Sequence, residues 1–204
     1  MQTKVVTKDQ LDLLVDAVRQ GEVIAFPTET VFGLGIVYDS KIAMDRLKWA
    51  KQRPESKPFT LMISDVSWID QFAKTKEEDW KIINKFMPGA LTLIFNRKEE
   101  VDSRITNGYD TIGIRCPDDP FVLELIKRVG KPLLVPSANI SGMPAATSTQ
   151  EVLDQLDGRI SLVVDGICGS NEASTIVSLV EDRPILIRQG KIQLSEIEEE
   201  MKWK

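Results

Sequence analysis

The chain has 204 residues, 42% of them apolar and 28% charged, with a net charge of −5, the profile of a globular protein with room for one sizeable domain. It contains no histidine, which removes Ser-His-Asp and Cys-His nucleophile arrangements and every histidine-based metal site, and its net acidity argues against a surface coated for nucleic acid. No apolar run approaches the roughly 20 residues of a membrane helix, and the stretch after Met1 lacks the apolar core of a signal peptide, so a cytoplasmic protein with no membrane partner is expected.

In chain order, Thr7 is expected to cap a helix whose Leu11, Leu14, Val15 and Val18 share one face, with Gly21 ending it. Residues 23–26 form a short apolar strand that runs into Pro27-Thr28-Glu29-Thr30. Ser40 can cap a second helix carrying Ile42, Ala43, Leu47 and Ala50, which stops near Pro54. Residues 59–63 read as a strand, followed by helices through Trp68 and from about 77 to 86. Pro88-Gly89 breaks the chain before a strand at 91–95, and the polar stretch 96–110 reads as a loop.

A strand at 111–115 precedes a helix at 120–129, closed by Gly130. A strand at 133–135 then delivers a loop, and a helix at 149–156 follows. Strands at 162–164, 175–180 and 185–188 and a charged helix at 194–201 complete the series. Alternating elements without repeat or linker imply a single α/β domain over residues 1–204, and the closely spaced C-terminal strands favour a mixed sheet. Cys116 and Cys168 make no metal pattern and read as buried free thiols. Trp49, Trp68 and Trp80 read as helix packing, and Trp203 has no assigned role.

Four segments could carry chemistry. Pro27 to Gly35 follows a strand and offers Thr28 and Thr30 hydroxyls with two glycines, which suits an anionic ligand or a turn joining two strands. Lys48, Lys51, Arg53 and Lys57 cluster at and beyond a helix end. They could grip phosphate or form a solvated C-terminus favoured by the helix dipole. Ser137-Ala138-Asn139 with Ser141-Gly142 ends a strand, at the edge where open α/β sheets bind ligands, though these residues also favour plain turns. Ser174-Thr175 and Arg188 lie at strand ends compatible with the same cleft. No Asp/Glu pair is spaced to suggest general acid and base, so any enzyme here would work by positioning and electrostatics, as phosphoryl and nucleotidyl transfer do.

In this order the segments resemble the YrdC/TsaC family of threonylcarbamoyl-AMP synthases, over about residues 9–191. The matching pieces are Pro27 to Gly35, Lys51-x-Arg53-Pro54 with Lys57-Pro58, Thr111 to Arg115, Ser137-Ala138-Asn139 with Ser141-Gly142, Ser174-Thr175, and Arg188-Gln189-Gly190. The resemblance implies a YrdC-like α/β fold, a twisted mixed sheet with flanking helices around a positively charged cavity. There L-threonine and bicarbonate form a carbamate that attacks the α-phosphate of ATP, with Mg2+ present. The threonylcarbamoyl group then passes, through partner proteins, to adenosine in tRNA.

By position, the resemblance implies ATP contacts from Lys51, Arg53, Lys57, Thr111, Ser137 and Arg188. It implies threonine contacts from Thr30, Arg115 and Ser174, with Thr28 and Asn139 lining the cavity and no protein metal ligands. The chain departs from the family pattern at Met62, where several relatives carry histidine, at Val135 in place of a hydroxyl, and at Phe32 in place of tyrosine. A YciO-like paralogue, a non-catalytic protein with weak RNA binding in the same basic cavity, and an adenylating enzyme with another acyl acceptor are the alternatives.

Overall fold

The computed structural model describes residues 2–170 and 172–201; Trp203 lies outside them. The chain begins with strand β1 (Lys4–Val6) and helix α1 (Leu11–Arg19), which buries Leu14, Val15, Ala17 and Val18 along one stripe. The residue at its N-terminus is Gln10, not Thr7. The Gln10 side-chain oxygen instead reaches back to the Thr7 N–H at 3.1 Å, closing the approach turn. Gly21 follows the helix with φ +78°, a left-handed conformation that glycine adopts without a Cβ clash.

Strand β2 (Ile24–Phe26) pairs with β3 (Gly33–Val37), so the second half of the Pro27–Gly35 segment is a strand rather than a turn. Neither glycine there has positive φ; the requirement is space. A Cβ at Gly35 would lie 2.5 Å from Cε1 of the buried Phe26 ring, and one at Gly33 would lie 2.5 Å from Val135 Cγ1. Helix α2 (Lys41–Lys51) starts at Ser40, whose hydroxyl accepts the Ala43 N–H at 3.2 Å. Ala43, Leu47 and Ala50 face the core, whereas Ile42 is 65% exposed and Trp49 61% exposed, the latter covered by the Arg159 guanidinium.

Then come β4 (Thr60–Met62), a 3-10 turn at Val66–Trp68, α3 (Ile69–Phe72), and the two-residue strand β5 (Ala73–Lys74), whose shortness hid it from the sequence pattern. Helix α4 (Asp79–Phe86) and strand β6 (Leu91–Arg97) follow; β6 extends two residues into the stretch read as a loop, because β5 pairs with Asn96 and Arg97. The rest of that stretch is irregular and tucks Val101 and Ile105 into the core.

Strand β7 (Thr111–Arg115) and helix α5 (Pro120–Val129) match the reading from sequence. Asp119 caps α5 by accepting from the N–H groups of Phe121 and Val122, and Gly130 ends it with φ +77°. Strand β8 (Leu133–Leu134), helix α6 (Thr149–Leu156), strands β9 (Leu162–Val164), β10 (Thr175–Ser178) and β11 (Ile185–Arg188), and helix α7 (Leu194–Glu200) complete the order.

Among the described residues, eleven strands join one mixed sheet in the order β1-β9-β2-β3-β8-β4-β7-β6-β10-β11, with β5 on β6. On one face, α1 and α5 pack together over the β1-to-β8 half around Phe26, Val37, Leu133 and Val164. The opposite face is buried under α2, α4, α6 and α7 around Leu34, Leu61, Leu93, Ile114 and Val177. Over the β4-to-β11 half, the face that α1 and α5 would cover is bare, and it carries the cavity described below.

Gly35→Ala forces a methyl into the Phe26 ring, which has no exposed surface through which to yield. Overpacking of this kind costs about 1–3 kcal/mol. The urea midpoint should fall correspondingly with the denaturant slope unchanged.

Candidate functional site

Strand parity builds the site. Thr60 and Met62 of β4, Thr111, Gly113 and Arg115 of β7, Thr92 and Ile94 of β6, and Ile176 of β10 are alternate residues. Alternate residues on a strand share a face. The register sets Thr60 beside Gly113, Met62 beside Arg115, Gly113 beside Ile94, and Ile176 beside Thr92. These side chains floor a cavity of about 380 Å³. A Cβ on Gly113 would meet only ordinary contacts, at 3.6 Å or more, so this glycine keeps the middle of the floor open rather than serving a strained backbone.

The walls come from elements that end at this face. Helix α2 stops in a left-handed turn at Gln52 (φ 49°), so Lys51 points inward and Arg53 leaves the helix toward the cavity. Arg53 donates from Nε to the Lys57 carbonyl at 3.3 Å and from Nη2 to the Pro58 carbonyl at 2.7 Å, with its guanidinium 4.9 Å from the Phe59 ring centroid. These contacts shape the loop that presents Lys57. Burial pushes the Arg53 pKa below its ordinary value.

Across the cavity, Arg188 donates from Nε and Nη2 to the Ser174 carbonyl at 3.0 and 2.8 Å, and from Nη2 to the Ser174 hydroxyl at 3.2 Å. That hydroxyl is 2.9 Å from the hydroxyl of Thr92. The Arg188 pKa is pushed down by burial and then by the charge of Arg115. Thr175 Oγ1 accepts from the N–H groups of Gly190 and Ile192, stapling the two segments together. Gly190 is required there, because a Cβ would meet the Ala173 carbonyl oxygen at 2.3 Å.

Arg115 is 6% exposed at the end of β7. Its Nη2 donates to Thr30 Oγ1 at 3.0 Å and pairs with Glu29 Oε1 at 2.7 Å, whereas its buried Nε has no partner among the described residues. Thr28 Oγ1 donates to the Val31 carbonyl and accepts the Thr30 N–H. Its single proton is thereby used, so in the 2.9 Å contact with Thr30 Oγ1 the donor is Thr30. The acceptor side of Thr30 is left for Arg115.

The structure thus brings Arg53, Lys57, Thr111, Arg115, Ser137, Ser174 and Arg188 to one cavity wall. Four expected residues stand behind that wall instead. Thr28 and Thr30 are 3% and 1% exposed; Thr30 holds Arg115 and Thr28 holds Thr30. Lys51, also 1% exposed, sends its ammonium to the Ser137 carbonyl, to the Asn139 carbonyl at 2.9 Å and to Asn139 Oδ1 at 3.1 Å. Asn139, 7% exposed, spends its amide donors on the Ile140 and Met143 carbonyls, and its Oδ1 also accepts from Ser137 Oγ at 2.6 Å. In this structure Thr28, Thr30, Lys51 and Asn139 form a layer behind the lining residues, with their polar groups partnered within the protein.

Met62 and Val135 do line the cavity, whereas Phe32 is wholly buried away from it. Glu29, Thr60, Thr92 and Gly113 are site residues that the segment pattern did not single out. Counting alternate residues along the strands at 59–63 and 91–95 would have found Thr60 and Thr92. Cys116 and Cys168 are free and buried. Burial pushes the Cys116 thiol up to about 12, with Asp65 and Glu29 adding to it, and Cys168 is shifted the same way, so neither thiol is poised as a nucleophile. Among the described residues lining the cavity there are four cations and no carboxylate, in a chain whose net charge is −5.

A family model described as Telomere recombination, covering Sua5, YciO and YrdC, matches residues 16–190. The chain is 42% identical over 183 residues to threonylcarbamoyl-AMP synthase of Bacillus subtilis, covering 88% of this chain and 53% of that protein. It therefore spans about half the length of that relative. The solved structure of P. abyssi Sua5 complexed with L-threonine superposes with a TM-score of 0.91 at 34% identity, covering 98% of this chain and 60% of that one. Escherichia coli YciO superposes with a TM-score of 0.85 at 27% identity, covering 95% and 97%.

Glu29→Gln leaves Arg115 nearly buried without its carboxylate. Removing one partner of a buried pair costs about 3–5 kcal/mol, and a loss toward the lower end is expected because Glu29 keeps some solvent contact. Equilibrium unfolding in urea measures it.

Proposed function

This chain belongs to the Sua5, YciO and YrdC family, and from that premise we propose that its cavity makes threonylcarbamoyl-AMP and pyrophosphate from ATP, L-threonine and bicarbonate. The observation that carries the reading is the cavity wall itself, with four cations, several hydroxyls and no carboxylate. Such a wall suits a ligand with many anionic oxygens and little else. The relatives named for this activity and the neighbour holding L-threonine support the same substrate pair.

In this mechanism Arg53, Lys57 and Arg188 hold the triphosphate, with Thr111 donating a hydroxyl hydrogen bond and Ser137, whose proton is held by Asn139 Oδ1, bordering it. Magnesium would come with ATP and help to neutralise its phosphates, since the cavity lining offers it no carboxylate. Arg115, which lines the cavity and is kept in place by Glu29 and Thr30, takes the threonine carboxylate, and Ser174 borders the same space. The threonine amine condenses with bicarbonate to a carbamate with loss of water. A carbamate oxygen then attacks the α-phosphate and pyrophosphate leaves toward the cations.

No side chain needs to form a covalent bond. Catalysis comes from juxtaposing two anions that would otherwise repel and from stabilising charge that moves onto the leaving pyrophosphate. Met62 and Val135 give the acceptor side an apolar lip that would face the threonine methyl. The product would pass to partner proteins that transfer the threonylcarbamoyl group to tRNA, and direct RNA contact by this chain would be weak.

Purified protein given MgATP and bicarbonate should release pyrophosphate only when threonine is added. Release with a different amino acid would reassign the acceptor, and no release with any amino acid would favour the YciO-like or RNA-binding reading.

Arg53→Ala removes a phosphate ligand and the tie that shapes the Lys57 loop, so ATP affinity and turnover should each drop at least about tenfold, the effect of losing a charged hydrogen bond of ~1.5–3 kcal/mol. Gly113→Ala should fold normally, since its Cβ meets only ordinary contacts, yet weaken threonine-dependent pyrophosphate release because the methyl intrudes on the floor.

A further inference from the structure

Lys51 is a buried cation without an acid. It is 1% exposed, and all three of its acceptors (the Ser137 and Asn139 carbonyls and the Asn139 amide oxygen) are neutral. The charges that act on it are Arg53 and Lys57, both positive. Residues 137–142, which pack over its ammonium, and strand β3 beside them carry no titratable group. Buried lysines ordinarily sit with a carboxylate; this one has the cavity wall in front of it instead.

We propose that the polyphosphate bound in the cavity is the counter-charge of Lys51, so that binding is coupled to protonation of this lysine and locks the Ser137–Asn139 loop against the end of α2. The proposal rests on the polyphosphate reading of the cavity. A charged ammonium has three protons for its three acceptors; the neutral amine has two, and its lone pair then faces an oxygen. The loop that presents Ser137 is therefore tied fully only when Lys51 is charged. Its main chain is tied as well, through Ser141 N–H to the Lys51 carbonyl at 2.8 Å.

Burial, and then Arg53 and Lys57, hold the Lys51 pKa down to about 7. An anion between Arg53 and Lys57 cancels that repulsion and adds attraction, so it raises the proton affinity of Lys51. The sign follows: above pH 7 the free protein is mostly neutral at Lys51 and the complex is charged, so binding takes up a proton. Below pH 6 both are charged and none is taken up. Lys51 is thus a positioning residue that acts through Ser137.

The test is calorimetric titration of wild-type protein with MgATP in buffers of different ionisation heat. Uptake should be near zero at pH 6 and should approach one proton at pH 8, and Kd should weaken roughly fivefold from pH 7 to pH 8. Lys51→Arg, which keeps the charge but does not titrate in this range, and Lys51→Met should each lose this uptake and its pH dependence. A direct reading that needs no variant is the lysine 13Cε resonance of Lys51 at pH 8, which should move to the charged position when MgATP is added.

MgATP binding with no uptake at pH 8, with the same uptake in both variants, or with an unmoved Lys51 resonance overturns the proposal and leaves the proposed function standing. Failure of MgATP to bind at any pH overturns both.

Discussion

The site depends on a constraint of β-structure: a strand can send its side chains to only two faces, and a sheet covered on one face must do something with the other. Here α1 and α5 cover one face over the β1-to-β8 half and stop. Beyond β4 the same parity continues uncovered, with apolar residues turned into the opposite core and Thr60, Thr92, Thr111, Gly113 and Arg115 turned to the bare face. A shift of one residue in the β6–β7 register would exchange these sets, burying threonines and exposing Leu93 and Ile114. Core packing therefore holds the cavity floor in register. The site inherits its rigidity from the hydrophobic side of the same strands.

Onto that floor the fold brings four like charges, which repel unless something separates them. Fixed anchors hold the three arginines apart. Each guanidinium is anchored by its rear: Arg53 on the carbonyls of Lys57 and Pro58, Arg188 on the carbonyl of Ser174, Arg115 on Glu29 and Thr30. Anchoring on neutral oxygens leaves the positive field intact, which a carboxylate partner would not. Glu29 is the exception, and it neutralises Arg115 from behind while leaving Nε unpartnered. The lowered proton affinities of Lys51, Arg53 and Arg188 share this origin in burial, with like charge added at Lys51 and Arg188. They mark a cluster of buried cations that is electrostatically unfavourable without a counter-charge.

Much of this was legible from residues alone. Helices with strong apolar stripes and matched ends, such as α5 between Asp119 and Gly130, and strands such as β7 and β9 were read to the residue, because periodicity and caps agree there. The two-residue strand β5 and the glycine-bearing β3 escaped. One is too short to show a period, and the other hides its partners' bulk behind missing side chains. Among the site residues, the segments named those on the wall and those behind it without separating the two layers. Depth is a property of packing: Thr30 and Ser174 look alike in sequence, yet one supports Arg115 from behind and the other borders the cavity itself.

Lys51 and Arg53 show how little sequence distance separates the two layers. Continued as helix, the chain would carry Arg53 about 200° around the axis from Lys51, away from the cavity. Instead Gln52 takes a left-handed conformation, at a cost of about 1–2 kcal/mol for a residue with a Cβ. The helix ends with Lys51 turned in beneath Ser137 and Arg53 turned out over Phe59. Glycine would adopt that turn without strain but would leave the unfolded chain freer. The Lys-x-Arg spacing is thus less a pair of equivalent phosphate ligands than a hinge of fixed geometry. One cation faces the cavity, and the other sits behind the loop that lines it.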